Sequence, residues 1–168
     1  MTTTTAADAL RARLLGADSV TGAMALWCAE RGIGALPLRS EVHVRAREAA
    51  PPAIFAAEAA GGRVFFRRIT LRAGPVPLLE AENWFLPDRL PAAAVTALQS
   101  GDTPFGAALA PGRQTRHSTA ALIPPGARPV PGARVDPRVP VLVLRGIVAL
   151  DGRPVAFVEE RIRPEALG

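Results

Sequence analysis

Three polar residues, Arg67, Asn83 and Glu160, fall on predicted strand faces that are otherwise apolar. Side chains alternate between the two faces of a strand, so the residues two positions away share the face, and all of these are apolar. An arginine at such a position must pair with an anion or remain costly to bury. Its guanidinium fork matches a carboxylate, and a glutamate in a dry pocket can accept a proton. Together they suit a carboxylate substrate in which a neighbouring atom gains or loses a proton.

A purely structural interpretation of the same residues stays open. A buried pair between Arg67 and Glu160 would fix strand register without any ligand. The position of the glutamate is also open, because Glu159 directly precedes Glu160. The alternation of faces favours Glu160 as the inward residue, since its neighbours on that face are apolar.

Apolar periodicity, helix caps and turn residues predict the elements that hold these side chains. Helices are predicted at Ala6–Leu15, Val20–Arg31 and Pro91–Gln99, with a loop or short helix at Ile54–Ala60. Strands are predicted at Glu41–Arg45, Arg63–Leu71, Leu78–Leu86, Val139–Leu150 and Val155–Ile162, and residues 110–138 are predicted to be a proline-rich irregular segment. This order predicts an α+β fold, an antiparallel sheet with helices packed on one face. Residues 1–17 are expected to form an N-terminal arm or short helix, and residues 18–168 a single domain.

The composition narrows the possible partners. The 168 residues include 20 arginines and no lysine, and the net charge of +5 suggests nucleic-acid binding. The arginines are spread along the chain, however, so we expect no nucleic-acid partner. No apolar run is long enough for a membrane span, and the N-terminus lacks a secretory pattern, so we expect a cytoplasmic protein with no membrane partner. One cysteine and two histidines leave little for a metal site.

Five short segments, in order along the chain, share a pattern with a known family. They are Asp18–Thr21, Phe66–Leu71, Gly101–Gly106, Thr115–Arg116 and Gly152–Glu160. The Thr-Pro-apolar-Gly turn within Gly101–Gly106 is the most specific of them. In these segments the chain resembles a divergent member of the chorismate pyruvate-lyases, or 4-hydroxybenzoate synthases.

The resemblance implies a chorismate-lyase or UTRA-like fold, in which about six antiparallel strands and flanking helices enclose a site. It also implies a cofactor-free reaction in which chorismate loses pyruvate and becomes 4-hydroxybenzoate. In that reaction Arg67 would hold a carboxylate, and Glu160 or Glu159 would move a proton. The remaining substrate-binding residues are expected to be Val20, Asn83, Phe105, Gly106 and Arg116, the last of them in a flap over the site.

Two departures from the family favour a different ligand. The segment Glu82-Asn83-Trp84 stands where the known lyases have Gly-Arg-Thr, and Phe105 stands where they have leucine. We therefore expect a lyase-type enzyme for a small chorismate-like carboxylate, acting as a monomer or small homo-oligomer. The alternatives are a cyclase or isomerase that folds a reactive substrate in an enclosed pocket, and a non-catalytic small-ligand-binding module. A transcription regulator is disfavoured, because the roughly 17 residues before Asp18 are too few for a helix-turn-helix.

Overall fold

An antiparallel sheet of six strands forms the centre of the protein in the computed structural model, which describes residues 5–124, 136 and 138–168. The strands are β1 (Arg39–Glu48), β2 (Phe65–Ala73), β3 (Val76–Phe85), β4 (Gln114–Leu122), β5 (Leu142–Leu150) and β6 (Arg153–Ile162). Across the sheet they follow the order β1-β2-β3-β6-β5-β4, and every neighbouring pair is antiparallel. The edges of the sheet are therefore β1 and β4.

In the described part of the chain, five helices accompany the sheet. They are α1 (Ala6–Leu15), α2 (Val20–Arg31), α3 (Ala53–Ala56), α4 (Ala92–Ser100) and α5 (Phe105–Leu109), with 3-10 turns at Pro87–Arg89 and Pro164–Leu167. Helix α2 begins where the Ser19 side chain accepts a hydrogen bond from the Gly22 N–H at 3.2 Å. It ends at Gly32, whose left-handed backbone (φ 64°) favours glycine.

Four of these helices, α1, α2, α4 and α5, pack against one side of the sheet, which we call the inner face. Leu10 and Leu14 of α1 are buried together with Met24 and Trp27 of α2 in one apolar cluster that includes inner-face strand residues. The Trp27 ring nitrogen also donates a hydrogen bond to the Ala166 carbonyl at 2.8 Å. The N-terminal segment predicted as an arm or short helix is thus a helix built into the main core.

The opposite side of the sheet, the outer face, carries both charged side chains and an aromatic patch of Phe66, Trp84 and Phe157. The short helix α3 is an exception to the expected one-sided packing, because Phe55 lies against Phe157 on this side with ring centroids 6.5 Å apart. Elsewhere on this face Arg68 pairs with Glu82. Most of the charged strand residues therefore lie on the outer face, as the alternating strand sequences predict.

The predicted α+β fold with a six-stranded antiparallel sheet is confirmed. The prediction of an irregular segment over residues 110–138 is wrong for Gln114–Leu122, which forms β4. This strand lies at the sheet edge and alternates little between polar and apolar residues, so its sequence lacks the usual signal. Residues 125–135 and 137 of the predicted segment lie outside the described residues. No helix in the described ranges is long and apolar enough to cross a membrane.

Candidate functional site

An ion pair between Arg116 and Glu160 lies buried on the inner face. Arg116 belongs to edge strand β4, and its side chain crosses β5 to reach Glu160 on β6. The two terminal guanidinium nitrogens donate to the two carboxylate oxygens at 3.1 and 2.7 Å. The side chains are only 2% and 9% exposed. Such a bidentate, charge-assisted contact is among the strong hydrogen bonds of proteins.

Gly146 on β5 leaves the space through which Arg116 reaches its partner. A Cβ atom built on Gly146 would lie 3.0 Å from Nε of Arg116 and 3.0 Å from the carbonyl oxygen of His117. Both distances are tighter than ordinary contacts. The absence of a side chain at this inner-face position therefore allows the guanidinium to lie across the strand.

Asn83 brings an unpaired polar group to the same face. It lies on β3 opposite Arg67 of β2 and Val158 of β6, and the residue is only 2% exposed. Its side-chain oxygen Oδ1 has no hydrogen-bond partner among the described residues. A buried polar atom without a partner is uncommon and points to a further molecule or to a functional role.

These groups meet at a small cavity, which we call the chamber, with a volume of about 30 Å³. It lies between the inner face and the first residues of α2 and α5. Six residues predicted for the site line it: Val20, Asn83, Phe105, Gly106, Arg116 and Glu160. A second cavity of about 20 Å³ adjoins it towards β2 and shares Asn83 and Glu160 in its lining.

A much larger cavity, which we call the cleft, opens beside the chamber. Its volume is about 690 Å³, and it lies between α2, α5 and the segment Leu36–Leu38. Ser19, Thr21, Gly106 and Gln114 line both the cleft and the chamber, so they form the wall between the two. At this wall a Cβ atom on Gly106 would lie 2.5 Å from the Ser19 hydroxyl oxygen. The glycine thus permits the close contact of α5 with α2.

Arg67, predicted to hold a carboxylate, lines none of these three cavities. It is fully buried, and its guanidinium donates to the carbonyl oxygens of Thr103 and Gly101, each at 3.1 Å. Burial lowers the pKa of Arg67 to about 10, an effect opposed by the negative charge of Asp102, so the group is still charged at neutral pH. The expected Arg67–Glu160 pair is wrong, because Glu160 is bound by Arg116.

The contacts of Arg67 give it a different role from the one predicted. The Ser40 N–H donates to the Asp102 carbonyl at 2.8 Å, so β1 and β2 together bind three successive carbonyls of residues 101–103. This loop follows the C-terminus of α4, where a cation is favourable, and leads directly into α5. Arg67 therefore positions the loop that carries Phe105 and Gly106.

Glu159 lies on the outer face, away from the chamber. Its carboxylate accepts hydrogen bonds from Arg145, at 2.7 Å, and from Arg161. Both glutamates were predicted as catalytic residues, but they lie on opposite faces of the sheet. Glu160 lines the chamber, whereas Glu159 pairs with arginines on the outer face.

Six residues that line the chamber have no predicted role in the site: Asp18, Ser19, Thr21, Gln114, Val148 and Val158. The first three belong to a segment quoted for its family resemblance, in which Val20 alone was assigned a contact. Gln114 had no signal, because it lies in the segment predicted to be irregular. In the described residues, no group of three or more His, Cys, Asp or Glu side chains could hold a metal ion.

No protein-family model and no curated protein matches the chain. Among solved structures, the effector domain of PhnF from Mycobacterium smegmatis is similar with a TM-score of 0.56 and 14% identity, over 88% of this chain and 89% of that one. The structure of PhnF from the same organism gives a TM-score of 0.57 and 16% identity, over 92% of this chain and 67% of that one. These likenesses show that the fold is the UTRA or chorismate-lyase-like one. At such identities they show the fold alone.

Proposed function

We propose that this protein binds a small organic molecule at the chamber and the adjoining cleft, as a non-catalytic effector-binding module. The observation that carries the proposal is Asn83, a buried amide whose oxygen has no partner in the described chain and which lines a cavity at the foot of a cleft. A concave, largely apolar site with a few convergent polar groups is typical of small-molecule binding. The fold shared with the PhnF effector domain supports the same assignment.

The hydrogen bonds of Glu160 favour a binding function over a catalytic one. A general base must lie within hydrogen-bond reach of the proton that it abstracts, and competing hydrogen bonds to its oxygens oppose that contact. Both oxygens of Glu160 are held by Arg116, and Arg67, the other predicted catalytic residue, is bound to backbone carbonyls outside the cavities. The similarity to an effector domain does not support an enzymatic function. It also does not support the expectation that the protein has no nucleic-acid partner.

The proposal is tested by thermal unfolding of the purified chain against a set of small metabolites that includes chorismate and 4-hydroxybenzoate. A true ligand at about 100 times its Kd stabilises the folded state by about 2.7 kcal/mol. Ala107→Trp should abolish this shift, since the exposed Ala107 lines the cleft. Ala29→Trp, at an exposed α2 position outside the cleft lining, is the matched control and should retain it. A shift that survives in Ala107→Trp would contradict the site.

A lyase remains the second candidate, because a buried carboxylate does line the chamber. Incubation with chorismate, followed by a coupled assay for pyruvate, separates the two functions. We expect ligand-dependent stabilisation without pyruvate release. Pyruvate release that is lost in Ala107→Trp and retained in Ala29→Trp would support the lyase and overturn the binding-only proposal.

A further inference from the structure

We infer that the molecule recognised here is an amphiphile whose apolar body lies in the cleft, while a small head that donates a hydrogen bond and carries no negative charge reaches the chamber. This inference rests on the proposed function and specifies its ligand class. It differs from the carboxylate that the sequence predicted, and three separate observations carry it.

The first observation is where the polarity of the cleft lies. The polar residues in its lining are Ser19, Thr21 and Gln114, and all three belong to the wall shared with the chamber. The other described lining residues are alanine, leucine, proline or glycine, and none carries a charge. A ligand that fills this space must therefore be apolar along its length and polar at the end next to the chamber.

The second observation is the charge around the chamber. Arg116 is the cation in its lining, and Glu160 already neutralises it through two hydrogen bonds. The Nε atom of Arg116 also has no partner in the described chain, but it faces Gly146 of β5. The exposed Asp18 adds a further negative charge at the same cavity. An anionic head would have to approach Glu160 or displace it from Arg116, and either is unfavourable where water is excluded. Arg67 offers no alternative cation, because it lines neither cavity.

The third observation is the combination of size and hydrogen bonding at Asn83. Its buried Oδ1 atom is an acceptor without a partner in the described chain, so the complementary head is a donor. The chamber volume of about 30 Å³ is small beside the roughly 690 Å³ of the cleft, so only a small part of the ligand enters it. A hydroxyl or an amine is a small head that can donate to Asn83.

Three probes with one apolar body and different heads test the inference: 2-naphthalenemethanol, 2-naphthylmethylamine and 2-naphthoate. Titration of the full chain, followed by amide chemical shifts, gives a Kd for each. We expect the alcohol and the amine to bind about tenfold or more tighter than naphthoate, since one hydrogen bond and one avoided charge repulsion separate them. Comparison of the Kd values of the amine and the alcohol shows whether the site accepts a cationic head.

Two variants locate the head and the body. Asn83→Leu, a change of similar size on an apolar face, should weaken binding of the alcohol and leave the Kd for naphthoate nearly unchanged, so that the head preference shrinks by the share that the hydrogen bond contributes. Ala107→Trp should weaken all three probes alike. The head-group comparison on the unmodified chain needs no variant, so the inference stays testable if Asn83→Leu does not fold.

Tighter binding of naphthoate than of the alcohol would overturn the inference and leave the proposed function standing. A head preference that persists unchanged in Asn83→Leu would overturn the placement of the head. If no probe binds up to its solubility limit, the inference that the ligand is an amphiphile is wrong. The thermal unfolding experiment with the metabolite set decides separately whether the protein binds a ligand at all.

Discussion

Arg116 and Glu160 are two charged side chains removed from water on an apolar sheet face, so each depends on the other. Their mutual hydrogen bonds offset a large desolvation penalty, and the pair need not stabilise the fold relative to apolar residues. Loss of one partner is a different matter, because the remaining charge stays buried without compensation.

We predict that Glu160→Gln lowers the free energy of unfolding by about 3–5 kcal/mol, the usual cost of an uncompensated buried charge. The double variant Arg116→Met, Glu160→Gln should recover most of this loss. Urea denaturation of the single and double variants measures both effects. Asp88→Asn is the control, because it breaks an exposed pair of the same 2.7 Å length with Arg63 and should leave the urea midpoint unchanged. Equal effects at the two pairs would contradict the prediction.

The period of two along each strand correctly places Arg67, Asn83 and Glu160 on the inner face, whereas the interpretation that pairs Arg67 with Glu160 is wrong. The predicted burial of Arg67, Asn83 and Glu160 is confirmed. The period of two in a strand fixes a face, but it says nothing about which neighbour lies opposite. Arg116 reached Glu160 from the far side of β5, and no local pattern in the sequence indicates that approach.

The loop over residues 101–103 is the element that links the sheet to the wall of the chamber. Its three carbonyls accept hydrogen bonds from Arg67 and from the Ser40 N–H, and α5 begins two residues later. The position of Gly106 against Ser19 therefore depends on an arginine that does not line the chamber.

We predict that Arg67→Met costs about 2–4 kcal/mol of unfolding free energy, because two carbonyls lose their donor in a buried region. Amide hydrogen exchange over α5 should speed up by more than exchange over α1, which the loop does not contact. Arg67→Lys should recover part of the stability, since a lysine can donate to one or both carbonyls. A variant that unfolds at the same urea concentration as the parent but loses ligand binding would instead support the carboxylate role predicted from the sequence.

At the scale of the whole molecule, the packing of α1 makes the N-terminal residues part of the core rather than an arm. Leu14 is fully buried in the cluster that contains α2 and the inner face, whereas the adjacent Leu15 is 36% exposed. The two positions are a matched pair of leucines on one helix.

We predict that Leu14→Ala lowers the free energy of unfolding by about 2–5 kcal/mol, the usual cost of a cavity in a packed core. Leu15→Ala should change it by about 0.5 kcal/mol or less. Both are measured by chemical denaturation followed through Trp27, which lies in the same cluster. If Leu14→Ala unfolds at the parent's midpoint, the first helix is an arm after all.

The resemblance to a known family supplied Val20, Phe105, Gly106 and Arg116 as site residues. The sequence by itself determined helices α1, α2 and α4, most strands, the α+β class, and the inner face that carries Asn83 and Glu160. It could do so because caps, turns and side-chain alternation act over a few residues. Only the tertiary structure revealed β4 and α5, the partners of Arg67 and Arg116, and the cleft that adjoins the chamber. Those features depend on strand order, on a missing side chain at Gly146 and on helices distant in sequence, so no local pattern encodes them.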